Sequence, residues 1–207
     1  MKMRILLLAD IHGEEEVIDR LRAVASKYDY VLVAGDIGKS VSFMEDLLSV
    51  SDNIYWVPGN AEGLDSPSKY PRCLHRQRME IEGGFNIVGF GFTPPTPFGT
   101  PGEMREEEIY SQMRDLPIDG KTILLTHAPP YGILDEVEAG LHAGSRSVRK
   151  IIEEMRPVLL ICGHIHDVEG KQKIGETTVV QLPAGKNLRA VVLEIGEGQL
   201  NITMGPL

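Results

Sequence analysis

Five short runs of the chain are almost wholly apolar: Ile5 to Ala9, Tyr30 to Ala34, Ile54 to Val57, Thr122 to Leu125 and Val158 to Cys162. An alternating pattern would mark a strand with one wet face, whereas continuous runs of this length mark strands covered on both faces. Such strands need a further layer on each side, which confines the chain to layered α/β architectures. Amphipathic stretches lie between them. Val17, Ile18, Leu21, Val24 and Ala25 share one face of a helix, as do Ile109, Tyr110, Met113 and Leu116, and later Val148, Ile151, Ile152 and Met155. Thr100, Pro101 and Glu103 read as the N-cap, first-turn proline and capping-box acid of a helix starting near residue 103. Pro157 stops the last helix. Residues 78–92 read as a hairpin turning at Gly83-Gly84, and residues 171–203 as three more strands with turns near Gly175-Glu176, Gly185-Lys186 and Gly196-Glu197-Gly198. The expected fold is an α/β four-layer sandwich with mixed sheets, one domain over residues 1–207.

The residues just after each apolar run carry the chemistry. Asp10-Ile11-His12 comes after the first, Gly35-Asp36 after the second, Gly59-Asn60 after the third, His127 after the fourth and Gly163-His164-Ile165-His166 after the fifth. Each places a metal-type side chain just beyond the carboxyl end of a buried strand, the edge where open α/β sheets bind ligands. Singly, the first four read as ordinary turns or a hydrogen-bonded histidine, whereas Gly163-His164-Ile165-His166 is an unusual use of histidine. Together they use four of the six histidines of the chain, which coincidence explains poorly. Carboxylate, imidazole and one amide oxygen, without thiolate, suit divalent manganese, iron, zinc or nickel. Seven ligands exceed the need of one ion but suffice for two that share a carboxylate. Two ions ~3.5–4 Å apart can hold a hydroxide at neutral pH and clamp both oxygens of an in-line displacement.

Composition narrows the partners. A formal net charge of −9 argues against a non-specific nucleic-acid binder. It leaves room for a small phosphorylated substrate, because bound cations reverse the local sign. Cys73 and Cys162 are far apart and lack C-x-x-C spacing, so a reduced, cytoplasmic protein is expected, with one semi-exposed and one buried thiol. The opening apolar segment is too short for a signal peptide and reads as a first strand; no run is long enough to span a bilayer. A homodimer is one assembly open to the chain.

Asp10-x-His12, Gly35-Asp36, Gly59-Asn60, His127 and Gly163-His164-x-His166 resemble, in order and spacing, the signature of the calcineurin-like metallophosphoesterases. The Thr96-Pro97-Phe98-Gly99-Thr100-Pro101 loop and His142-Ala143-Gly144-Ser145 resemble a small prokaryotic subgroup related to the Icc phosphodiesterases. The resemblance implies a calcineurin-like α/β/β/α sandwich. It also implies that Asp10, His12 and His166 hold one metal, that Asn60, His127 and His164 hold the other, and that Asp36 bridges them. The family usually has a histidine after Gly-Asn that helps protonate the leaving group; here Ala61 stands there, before Glu62. General acid assistance is worth ~10²–10⁴-fold. Either another group, with His142 the candidate, supplies that proton, or the substrate has a good leaving group.

The leading expectation is therefore a metal-dependent phosphoric ester hydrolase acting on a phosphomonoester or phosphodiester, nucleotides included, with Asp36, Asn60, His127 and His142 in catalytic roles. A nuclease and a catalytically weak metal-binding scaffold are the alternatives. Elsewhere, Glu14-Glu15-Glu16 reads as the acidic first turn of a helix. Tyr55 and Trp56 read as core or interface, His75 among the basic cluster Arg72, Arg76 and Arg78 as surface, with attraction of an anionic substrate the alternative, and Phe98 as packed onto its own domain, with stacking on a nucleobase the alternative.

Overall fold

The computed structural model describes residues 2–38, 40–196 and 198–207. The first half runs β1 (Met3–Leu8), α1 (Glu15–Val24), β2 (Tyr30–Ala34), α2 (Val41–Ser49), β3 (Ile54–Val57), α3 (Ser66–Lys69), β4 (Arg78–Glu80), β5 (Asn86–Phe90) and α4 (Glu106–Met113). The second half runs β6 (Thr122–Thr126), β7 (Glu136–Glu138), β8 (Leu141–His142), α5 (Arg146–Met155), β9 (Leu159–Cys162), β10 (Gly170–Ile174), β11 (Thr177–Gln181), β12 (Arg189–Gly196) and β13 (Gln199–Pro206).

The strands form two main sheets, in the orders β13-β12-β1-β2-β3 and β10-β11-β9-β6-β5-β4, with β7 and β8 as a separate hairpin. The five apolar runs are thus shared between two sheets, three in the first and two in the second. β1 to β3 are mutually parallel, and so are β5, β6, β9 and β11. Successive side chains of a strand point to opposite faces. Ile5, Leu7 and Leu32 meet Ile87, Ile123 and Ile161 between the sheets. Leu6, Leu8 and Val33 face Val17, Leu21, Met44 and Leu47 on α1 and α2. Val88, Leu124 and Leu160 face Ile109, Met113, Val148 and Ile151 on α4 and α5. Both faces of these inner strands are dry, which accounts for the lack of alternation, and each fully buried Leu or Ile contributes roughly 1.5–3 kcal/mol. The architecture is the expected α/β/β/α sandwich.

Two expectations need correction, and one helix was not anticipated. The segment after residue 170 holds four strands, β10 to β13, because three turns separate four strands; the last of those turns includes Glu197, which lies outside the described residues. The helix expected near residue 103 starts at Glu106. Glu103 does accept from the Thr100 N–H (2.8 Å), as a capping-box acid would. However, Gly102 N–H donates to Asn60 O (3.0 Å) and Met104 N–H to Thr93 O (2.8 Å), so this turn is bound into the loop instead. Helix α2 went unread; Ser40 caps it by accepting from Phe43 N–H (3.1 Å). Among the described residues no helix is long and apolar enough to cross a membrane.

Candidate active site

The carboxyl ends of β1, β2, β3, β6 and β9 carry the predicted ligands. The chain leaves these strands sharply. Asp10 (φ 54°), His12 (φ 52°), Asp36 (φ 52°) and His164 (φ 73°) all lie in the left-handed region, which side-chain-bearing residues adopt at a cost. Backbone bonds between the turns hold them there: Asp10 N–H to Gly35 O (3.0 Å), His12 N–H to Asp36 O (2.9 Å) and Gly163 N–H to His127 O (3.0 Å). Two glycines permit the close approach. A Cβ at Gly35 would sit 2.5 Å from His127 Nδ1, and one at Gly163 would sit 2.6 Å from Asp10 Oδ2.

The donor atoms converge in two groups. Asp10, His12 and His166 each bring one atom within 4.8 Å of the others, and so do Asp10, Asp36 and His127. His12 Nε2 and His166 Nε2 are 3.0 Å apart. Two imidazole nitrogens that close require a proton or a cation to mediate between them. Asp36 spans the groups, with Oδ2 3.7 Å from His12 Nε2 and Oδ1 3.5 Å from His127 Nε2. His127 Nδ1–H donates to Ala34 O (2.6 Å), which leaves Nε2 as an acceptor facing Asn60 Oδ1 (3.1 Å). The His164 ring stands edge-on to that of His127, centroids 5.1 Å apart. Its backbone N–H donates to Asp10 Oδ2 (2.9 Å). The second group is buried, with the His127 side chain 0% exposed, whereas His12 and His166 are 30% and 33% exposed.

The shifts at Asp10, His12 and His164 favour the metal-binding forms, and His127 would give up its proton when an ion binds. Burial pushes the Asp10 carboxyl up, but the His166 hydrogen bond and the nearby His127 outweigh it and hold it below the usual range. Burial pushes His12 down against the pull of Asp36 and Asp10. Burial, with His127 alongside, brings His164 to about 4. At His127 burial also pushes down, but the carboxylates of Asp36 and Asp10 prevail and raise it. Ionised carboxylates and neutral imidazoles are the forms that bind metal. The hard and borderline N/O donor set, converging from buried strand ends, fits divalent cations.

Sequence reading missed the supports of this cluster. The Glu62 carboxylate, 7% exposed, accepts from the N–H groups of Gly59 (2.7 Å), Ile37 (2.9 Å), Asp36 (3.0 Å) and Gly38 (3.3 Å), tying together the turns after β2 and β3. Burial and the adjacent Asp36 push its carboxyl up. Asn60 Nδ2 donates to Thr100 Oγ1 (3.1 Å), which donates to Glu103 Oε1 (2.6 Å). This relay turns Asn60 Oδ1 toward His127. Burial alone would raise Glu103, but the hydroxyls and N–H groups of Thr100 and Thr96 hold it at about 2. Lys186 Nζ lies 3.3 Å from His166 Nδ1. The Glu62 bonds to the turn after β2, the Asn60–Thr100 bond and the Lys186 contact each join residues 20 or more positions apart, which no local pattern announces.

His142 lies in β8, its Nδ1 2.7 Å from the buried Asp135 Oδ1 and its ring 5.4 Å from that of Tyr131. These contacts are outside the ligand cluster. Ala61 N–H donates to Asp36 Oδ1 (2.8 Å). Two weaker expectations fail. His75 is half-buried, accepts from Gly91 N–H (3.0 Å) and packs against Phe90 and Phe92; burial and Arg76 bring it to about 4. Phe98, expected to pack, is 84% exposed. Arg72 pairs with Asp52, and Arg78 with Glu80 and Asp119, so two of the three arginines near His75 are neutralised. A cleft of about 560 Å³ opens on His12, Asp36 and Asn60 and runs to α2 and α3.

The sequence profile described as calcineurin-like phosphoesterase matches residues 3–168. The chain is 36% identical over 192 residues to the uncharacterized protein MJ1162 of Methanocaldococcus jannaschii, covering 86% of this chain and 87% of that one. It is 28% identical over 166 residues to the human metallophosphoesterase domain-containing protein 1, covering 74% of this chain and 49% of the human one. Its fold is similar to that of a dimetal phosphatase from Danio rerio, with TM-score 0.68, 12% identity, and coverage of 98% and 95% of the two chains. The chain belongs to the calcineurin-like phosphoesterase family and is a metal-dependent phosphoric ester hydrolase.

Proposed function

We propose that the chain hydrolyses a small phosphate ester, a nucleotide among the candidates, at a centre of two divalent ions. Asp10, His12 and His166 would hold one ion and Asn60, His127 and His164 the other, with Asp36 shared. The observation that carries this reading is Asp36, which turns one oxygen toward His12 and the other toward His127. When bound, the two ions would lower the pKa of a water for in-line attack and offset charge on the phosphoryl oxygens. The donor set admits manganese, iron, zinc or nickel.

The remaining work falls to the chain itself. Ala61 N–H fixes Asp36, Thr100 fixes the Asn60 amide, and the Glu62 carboxylate gathers the turns that carry both. Ala61 has no proton to give a departing alkoxide. His142 is the group we assign to that step: the buried Asp135 carboxylate holds Nδ1–H, leaving Nε2 to exchange a proton. Its segment lies at the same edge, since Ser145 N–H donates to Pro129 O (2.8 Å) just beyond His127. The free thiols, Cys162 buried and Cys73 half-buried, accord with a reducing cytoplasm. The acidic charge favours a small substrate over nucleic acid.

Metal analysis and assay of a bis-aryl phosphate test the reading together. The wild type should retain two divalent ions per chain and turn the diester over, and Asp36→Asn should lose both the second ion and the activity. Turnover that persists in Asp36→Asn, or in protein stripped of metal, would sink it.

A further inference from the structure

The cleft beside the ligand cluster holds more than a phosphate needs. Its about 560 Å³ is within the range of small-molecule sites. One end is His12, Asp36 and Asn60; from there it passes Ala61 and reaches Val41 and Met44 of α2, Tyr70 and Pro101. The methyl group of Ala61 leaves open the space a larger side chain would fill. Val41 is 59% exposed, an apolar side chain left facing outward on the wall of a cleft that leads to charged ligands.

The polar groups along the cleft are almost all spoken for. Ser40 Oγ caps α2, Thr100 Oγ1 lies between Asn60 and Glu103, and Lys69 Nζ is 2.6 Å from Asp65. The far end therefore presents no unmatched cation among the described residues, which disfavours a second phosphate or a carboxylate there.

We propose that this cleft binds the alcohol portion of the substrate, and that this portion is uncharged, largely apolar and about the size of a nucleoside. The proposal rests on the two-ion reading of the centre and adds the substrate class. An apolar body against Val41, Met44, Tyr70 and Pro101 would place the ester bond over Asp36 and Asn60. It would exclude water from the side where Ala61 offers no polar group.

Calorimetric titration of the metal-loaded protein with methylphosphonate and phenylphosphonate separates the two levels. Both present the same anion to the ions, and only the second has a body to bury. The wild type should bind phenylphosphonate on the order of 10-fold more tightly. Val41→Asn, polar but uncharged and at an exposed position, should erase that advantage and alter methylphosphonate binding far less. Pro101→Ser, exposed on the loop side, should reduce it, which guards against a folding defect in one variant. Equal affinity for the two phosphonates in the wild type, or an advantage that survives both variants, overturns the cleft assignment alone. Failure of both phosphonates to bind overturns the two-ion reading, and the cleft assignment with it.

Discussion

The two edges of the sandwich are built from the same strands and differ in what they tolerate. At the amino edge, where β1, β2 and β3 begin, a cavity of about 410 Å³ is lined by Lys2, Asp29, Tyr30, Asp52, Asn53, Tyr55 and Glu82. Three of its four charges find ordinary partners: Asp29 accepts from Arg4 N–H (2.7 Å), Lys2 pairs with Glu194 (2.7 Å) and Asp52 with Arg72 (3.1 Å). At the carboxyl edge, Asp10, Asp36, Asn60 and His127 are buried, and four of the predicted ligands hold left-handed backbone conformations. Cavity size does not tell the edges apart. Strain combined with buried polar groups does, because a fold retains unfavourable local states only where the surrounding contacts impose them.

That contrast can be broken or sharpened by substitutions taken from the two edges. The largest effect should come from His142→Gln at the carboxyl edge. It should lower turnover of alkyl phosphate esters by ~10²–10⁴-fold and barely alter nitrophenyl esters, whose leaving groups need no proton. Rates measured across esters of graded leaving-group pKa check this, and a wild-type dependence unchanged in the variant would remove His142 from the chemistry. Next comes Thr100→Val, which keeps the volume and frees the Asn60 amide to rotate. Loss of such an orienting contact should reduce metal affinity or activity by roughly 10–100-fold, read by titrating the ion into stripped protein. A variant with wild-type affinity would show that Asn60 needs no relay.

The smallest effect belongs to the amino edge. Asp119 precedes β6, and hydrogen bonding to Arg78 holds its carboxyl at about 2. A carboxyl depressed in the folded state stabilises above its ordinary pKa, near 3.8, and that contribution fades as pH falls toward 2. For a pair this exposed, Asp119→Asn should cost only about 0.2–1 kcal/mol at neutral pH. Its thermal midpoint should merge with that of the wild type in acid, and its kcat should match throughout. A kcat as depressed as that of Thr100→Val would erase the distinction between the edges.

Legibility tracked the range of the forces involved. The five apolar runs were readable because burial on both faces leaves its mark residue by residue. Each observed strand starts and ends within two residues of the run read from sequence, with Tyr30–Ala34 and Ile54–Val57 matching end to end. The polar residues after them were readable for the same local reason. The helix start at Thr100 to Glu103 misled because its capping bond does form, but Asn60 and Thr93 capture the next N–H groups. The Phe98 expectation failed because an aromatic side chain carries no local sign of whether a neighbour will cover it.

The order of residues along the chain therefore determined, without help, which segments become buried strands, which side chains stand at their carboxyl ends, and the N/O chemistry those side chains offer. Tertiary structure decided the rest. It parted the five strands between two sheets, bent Asp10, His12, Asp36 and His164 into left-handed turns, and set the Glu62 carboxylate on the turns after β2 and β3. Burial is a property each residue encodes for itself. Strand partners, and the polar contacts between residues 25 or more positions apart such as Asp36 and Ala61, exist only once the two sheets have closed on one another.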